Sequence, residues 1–153
     1  MPRVSASDIL FFCLREVSMA PVFTWNDRYL TGDAEIDSDH RRLVLTVNEM
    51  FEAMSAGESE RVSHFLRVLG WYARYHFARE ECLMEQAAYP NAERHRQAHE
   101  DFKTRFQGSQ EPDPKVLILQ LSVFLVDWLD HHFMVEDREL FEYMRALPEG
   151  PET

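Results

Sequence analysis

The chain has 153 residues, with 16 Lys+Arg against 27 Asp+Glu and a formal net charge of -11, a length that suits one domain with one well-filled core. That balance speaks against nucleic acid and against a membrane surface as partners, since both draw their affinity from basic residues. With 45% hydrophobic and 28% charged residues, five Gly and seven Pro, the composition also excludes collagen, a coiled-coil rod and a disordered tail.

Seven histidines stand against two cysteines. Cys13 and Cys82 do not make a disulfide framework, and they are too few for a zinc finger or an iron–sulfur cluster. Both read as reduced thiols of a cytoplasmic protein, with Cys82 packed as a small apolar residue. No stretch has the length of a membrane span. The run Ile9-Leu10-Phe11-Phe12-Cys13-Leu14 is short for an export signal and is followed at once by Arg15 and Glu16. Residues 1–18 therefore read as an N-terminal extension, either without fixed structure or a short helix, ahead of a domain over 19–147 and a C-terminal tail over 148–153.

From Ala20 to Glu35 no period persists, and Thr31-Gly32-Asp33 signals a turn in a leading loop. The first helix is expected to start after Asp37 or Ser38, both good N-caps, with Leu43, Val44, Val47, Phe51 and Met54 on its apolar stripe and Gly57 at its end. A second runs from about Ser59 to about Ala87 through Phe65, Leu69, Tyr72, His76, Glu80 and Leu83, and Tyr89-Pro90-Asn91 breaks it. The third, from about Asn91, places Ala92, His95, His99, Phe102 and Phe106 on one face before Gly108 and Pro112-Asp113-Pro114. The fourth begins at about Pro114 and reaches about Met144 through Leu117, Leu121, Leu125, Trp128 and His132. No strand-like alternation persists, and three short connections force neighbours to run antiparallel. The expected fold is all-α, an up-down-up-down four-helix bundle, an architecture that houses metal sites between its helices.

His76 with Glu80, and His95 with His99, stand at i,i+4 spacing. Four residues turn a helix through about 400°, so each pair projects from one face and can grip one ion. His40 falls on the stripe of the first helix and His132 on that of the fourth. A lone core-facing histidine is more often a hydrogen-bonded core residue than a ligand. Five histidines and a glutamate on the core stripes of four helices point instead to one binuclear site, because buried polar groups need a shared partner. His64 and His131 lie off the stripes and read as surface residues. On the fourth helix the next carboxylate is open: Glu136 at i+4 is about 40° round from His132, Asp137 at i+5 about 140°.

The runs Thr31-Gly32-x-x-x-Ile36-Asp37-x-x-His40-x-x-Leu43, His76-Phe77-x-x-Glu80-Glu81-x-x-Met84, Tyr89-Pro90 ahead of His95-x-x-x-His99-x-x-Phe102, and Trp128-Leu129-x-x-His132-x-x-x-x-Asp137 resemble the hemerythrin family, specifically its bacterial single-domain members. The resemblance spans about residues 22–145. It implies two Fe ions, oxo- or hydroxo-bridged, that bind O2 reversibly for transport, storage or sensing in a bacterial cytoplasm. Carried over by position, His95, His99 and His132 would hold one iron, His40 and His76 the other, and Glu80 and Asp137 would bridge them. Five imidazoles, two bridging carboxylates and a bridging oxygen then leave one coordination position open, on the iron with fewer histidines. Azide and NO would be further ligands, and a redox or O2-accepting protein a partner, with the chain a monomer or small homo-oligomer.

The resemblance also implies Asp137 over Glu136, which requires the fourth helix to widen locally, most simply by a π-bulge. The O2 pocket would be walled by Leu43, Phe77, Trp128, Leu129 and Phe133. Family members usually carry Ile after the fourth-helix histidine, so Phe133 implies a tighter pocket and altered ligand access. The reading is a binding protein and not an enzyme; the alternative is a di-iron enzyme acting on O2, peroxide or nitric oxide, with a minor oxidase or peroxidase activity as an intermediate case.

Overall fold

The structure, a computed structural model, describes residues 21–108 and 114–148. The extension over 1–18 with Cys13, Pro112 and Asp113 of the expected turn, the Leu117 side chain and the tail from 149 onward lie outside the described residues.

Helix α1 (Ala34–Ser55) begins earlier than the sequence suggests. Its N-cap is Asp33, not Asp37 or Ser38: the Asp33 carboxylate accepts the N–H groups of Glu35 at 2.9 Å and Ile36 at 3.0 Å, two of the donors that a helix start leaves unpaired. Asp37 is buried and turns back into the loop. Its carboxylate accepts the Thr31 N–H at 2.7 Å, the Thr31 hydroxyl at 2.8 Å and the Gly32 N–H at 3.3 Å. Gly32 sits at φ +88°, a conformation that strains a residue with a Cβ. Both aspartates have cap-like chemistry, and which one faces the helix is decided by the path of the loop. Asp33→Ala is expected to cost about 1 kcal/mol, read as a lower urea midpoint with an unchanged slope.

The loop itself holds a single 3-10 turn, Asp27–Tyr29, which no periodicity announces. Three further rods follow: α2 (Ser59–Gln86), α3 (Ala92–Gly108), and a last one made of α4 (Pro114–His131), a π-helical segment (His132–Asp137) and α5 (Arg138–Ala146). Among the described residues there is no strand. Gly57, at φ +73°, turns the chain after α1, and Ala88, at φ +49°, does so after α2, where the Tyr89 N–H donates to the Met84 carbonyl at 2.9 Å.

Apolar residues gather in two clusters separated along the bundle axis. The larger holds Leu43, Val44 and Val47 of α1, Leu69, Ala73 and Phe77 of α2, Phe102 of α3, and Leu125 and Leu129 of α4. The smaller holds Ile36, Met84, Tyr89, Leu140 and Phe141. Along α1 the chain passes from the small cluster to the large, along α2 from large to small, along α3 back again, and along the last rod from large to small. That order makes the bundle up-down-up-down and antiparallel. Between the clusters each rod crosses one level, and there it carries His40, His76 with Glu80, His95 with His99, or His132 with Asp137.

His64 and His131 are exposed, as expected. Cys82 departs from expectation: it is exposed rather than packed, with the Gln86 amide 3.2 Å from its Sγ. Two residues along a helix turn it by about 200°, so with Glu80 facing inward Cys82 must face out. No helix among the described residues is long and apolar enough to cross a membrane.

Candidate metal centre

All seven side chains of the polar level are buried: His40, His76, Glu80, His95, His99 and Asp137 are 0% exposed and His132 1%. Helical spacing brings the pairs on α2 and α3 inward. On the last rod a regular helix would point Asp137 away from His132, but the π-helical segment closes its turn over five residues and aligns the two. Glu136 turns instead toward α3, where its carboxylate lies 3.3 Å from Arg94.

The two carboxylates each divide their oxygens between two groups of imidazoles. Asp137 Oδ1 lies 3.1 Å from His132 Nε2 and 3.3 Å from His95 Nε2, while Oδ2 lies 3.1 Å from His40 Nε2. Glu80 Oε2 lies 3.1 Å from His99 Nε2 and 3.6 Å from both His95 and His132, while Oε1 lies 3.3 Å from His76 Nε2. Two sets of mutually close donor atoms result: Glu80, His95, His99 and His132 in one, His40, His76, Glu80 and Asp137 in the other.

Of these contacts only that between His99 Nε2 and Glu80 Oε2 is a hydrogen bond. His40 Nε2, both nitrogens of His76 and of His95, Glu80 Oε1 and both oxygens of Asp137 have no hydrogen bond, although a buried polar atom left so costs about 1–3 kcal/mol. His99 Nε2 and His132 Nε2 face each other at 3.3 Å. Atoms that converge on a common point rather than on one another are what a cation between them would satisfy.

Neighbours with no role assigned from the sequence stand behind the rings. His40 Nδ1 donates to the Tyr29 carbonyl at 3.2 Å, which fixes the tautomer that leaves Nε2 free toward the centre. His99 Nδ1 does the same toward Glu81 at 3.0 Å, and Asp39 lies 3.8 Å from His76 Nδ1. Such partners hold the rings of metal-binding histidines. Glu81 and Asp39 could have been sought beside Glu80 and His40, because a neighbour on a helix can reach the next rod. Tyr29 acts through a backbone carbonyl and leaves no residue-type signal.

Rings close the level from one side. Phe77 stacks on His99 at 4.0 Å, Trp128 on His132 at 4.2 Å and Phe133 on His40 at 3.9 Å between centroids. Leu43 and Leu129 are buried in the same cluster as Phe77 and Phe133.

Charge is held tightly here. Burial disfavours the imidazolium of His132, but Asp137 and Glu80 outweigh it and raise its pKa to about 10; the same opposition, with Asp137 and Glu80 again prevailing, leaves His95 at about 9. Burial lowers that of His99. Burial would also raise Glu80 and Asp137, yet the surrounding imidazoles hold both below the usual carboxylate range. A cation takes neutral imidazole, so loading is expected to expel protons from the imidazoles whose pKa the carboxylates raise, His76, His95 and His132. Titration calorimetry in buffers of different ionisation heat counts them, and no release would contradict the arrangement. In the metal-free fold the raised values stabilise below the unfolded pKa of about 6.5, and that contribution is lost as pH rises through about 9 and 10.

Four antiparallel rods around a buried level of imidazoles and carboxylates define the class, an α-helical bundle with a place for metal at mid-height. A family model described as the hemerythrin HHE cation binding domain matches residues 31–144, and the chain belongs to that family. Among similar proteins are a bacteriohemerythrin of Pseudomonas aeruginosa, 29% identical over 128 residues that cover 79% of this chain and 80% of the relative, and one of Clostridium acetobutylicum, 24% identical over 79% of this chain and the whole of the relative. A hemerythrin of Sipunculus nudus is 28% identical over 82% of this chain and 93% of its own length.

Proposed function

We propose that the buried level holds a pair of iron ions and binds O2 reversibly at them. The observation that carries this reading is that the two oxygens of each carboxylate face different imidazoles, with Glu80 common to both groups of donors and most of those atoms without a hydrogen bond. His95, His99 and His132 would hold one ion, His40 and His76 the other, with Glu80 and Asp137 shared. The donor set fits: carboxylates and imidazoles without thiolate suit iron, as they suit manganese or cobalt. When bound, a ferrous pair supplies the electrons that O2 takes up and returns.

The protein's own part is orientation and exclusion. Tyr29 and Glu81 hold the His40 and His99 rings from behind by hydrogen bonds, so that their Nε2 atoms point inward, and Asp39 faces His76 Nδ1 at 3.8 Å. Phe133 lies over His40, on the side with fewer histidines, where the open position belongs in this reading. Leu43, Phe77, Trp128 and Leu129 complete an apolar wall, which keeps water away and makes charge separation costly. The relatives named bacteriohemerythrin and hemerythrin support the same reading.

The deciding measurement is absorption of the iron-loaded protein with O2, under argon and with azide, beside metal analysis. Expected are about two irons per chain, charge-transfer bands that shift with azide, and an oxygenated spectrum that reverses under argon. Rapid oxidation with multiple turnover would favour a di-iron enzyme instead.

A further inference from the structure

Helix α2 carries an exposed aromatic pair directly above the metal level. Trp71 is 57% and Tyr75 46% exposed, and their rings stack at 5.7 Å with planes 8° apart. Adjacent exposed aromatic rings on one helix face are a common feature of interaction surfaces. This pair is also built into the interior. The Tyr75 hydroxyl accepts a hydrogen bond from Arg79 at 2.6 Å, Arg79 lies 3.3 Å from Asp39, and Asp39 lies 3.8 Å from His76 Nδ1. His76 follows Tyr75 in the chain and stands five residues beyond Trp71, about 7.5 Å along the axis.

The charge of this face runs against that of the protein. Between Arg61 and Arg79, α2 has four arginines and no Asp or Glu, in a chain of net charge -11. Arg67 and Arg74 flank Trp71 at i-4 and i+3, both are exposed, and among the described residues neither has an ion-pair partner. With Lys103 of α3 they also line an open groove floored by Leu66, Ala73 and Phe102. Unpaired arginines beside exposed aromatics have the composition of an interface centre, and the sign selects an acidic partner.

We propose that the Arg67–Tyr75 face of α2 docks an acidic one-electron carrier of the ferredoxin class and passes its electron to the iron pair through His76. The inference rests on the iron-pair reading above. Each encounter moves one electron from the reduced carrier to one ferric ion; the carrier leaves oxidised by one electron, the ion becomes ferrous, and two encounters restore the state that takes up O2. No bond to the protein forms or breaks.

The test has two arms, with a plant-type acidic ferredoxin as probe. In the first, the metal-free full-length chain is titrated with oxidised ferredoxin by calorimetry at low and at physiological salt. Binding is expected at low salt, weakened by salt, and weakened about tenfold or more by Arg67→Glu with Arg74→Glu and about tenfold by Trp71→Ala. In the second, the ferric iron-loaded protein is mixed with reduced ferredoxin. Below saturation the reduction rate is expected to fall by the same factor in the double variant, while a small uncharged reductant acts on parent and variants alike. No binding at low salt, or binding and reduction indifferent to both changes, overturns the proposal and leaves O2 binding untouched. Self-association that Trp71→Ala abolishes, without ferredoxin binding, overturns it in favour of a second copy. Intact docking on a chain that takes up no iron removes the iron reading, and the electron step with it.

Discussion

On the proposed reading, iron bound per chain is expected to fall from about two ions to about one or fewer when Glu80 is replaced by alanine, since a carboxylate shared between two ions would serve both. Glu80 is 0% exposed, with Oε2 facing His99, His95 and His132 and Oε1 facing His76. Its removal leaves four imidazoles without the anion that balances either their protons or a cation. Asp137→Ala should lose iron in the same way, because its two oxygens also face opposite groups. Glu136→Gln is the contrast: its partner is Arg94 at 3.3 Å, so bound iron should match the parent. Metal analysis and the azide spectrum of the three variants check this. Retention of both ions by Glu80→Ala, or loss of iron by Glu136→Gln equal to that of Asp137→Ala, would refute the shared-carboxylate arrangement.

Phe133→Ala is expected to be the most damaging change outside the polar level. The ring is buried, stacks on His40 at 3.9 Å and Phe23 at 6.4 Å, and meets Tyr29 edge-on at 5.4 Å. Truncation removes most of a fully buried aromatic and leaves a cavity, at a cost of about 3–5 kcal/mol, read by urea unfolding. Phe133→Ile keeps more of the volume and separates packing from access. If the ring must part from His40 to admit a ligand, losing a contact worth about 1 kcal/mol speeds azide and O2 association about fivefold. Equal association rates for Phe133→Ile and the parent would mean that the ring does not gate the site. The wider wall should also hasten oxidation of the ferrous pair, because an apolar enclosure opposes charge separation.

Much of the bundle was readable from spacing. The stripes through Leu43 and Val47, Leu69 and His76, His95 and Phe102, and Leu125 and His132 are inward faces in the structure, because a helix repeats its angle every turn whatever it packs against. The pairing of His76 with Glu80 and of His95 with His99 follows from the same geometry. Boundaries were less readable. Asp33 and Asp37 have the same side chain, and only the path of the Thr31-Gly32 loop shows which of them caps α1. Cys82 misled because thiols are commonly buried, whereas its angle from Glu80 puts it on the outer face.

The amino-acid sequence by itself determined that four helices form, that histidines and carboxylates lie on their buried faces, and that they meet at one level between apolar stretches. Those properties are local, set by helical period and by the cost of burying polar groups. Periodicity could not choose between Glu136 and Asp137; family resemblance favoured Asp137, and the π-helical segment is what turns it inward. Only the tertiary structure decided how each carboxylate divides between two groups, and that Tyr29, Asp39 and Glu81 stand behind the rings. These depend on how far apart the rods pack and how each is rotated, which neighbouring residues along one chain do not encode.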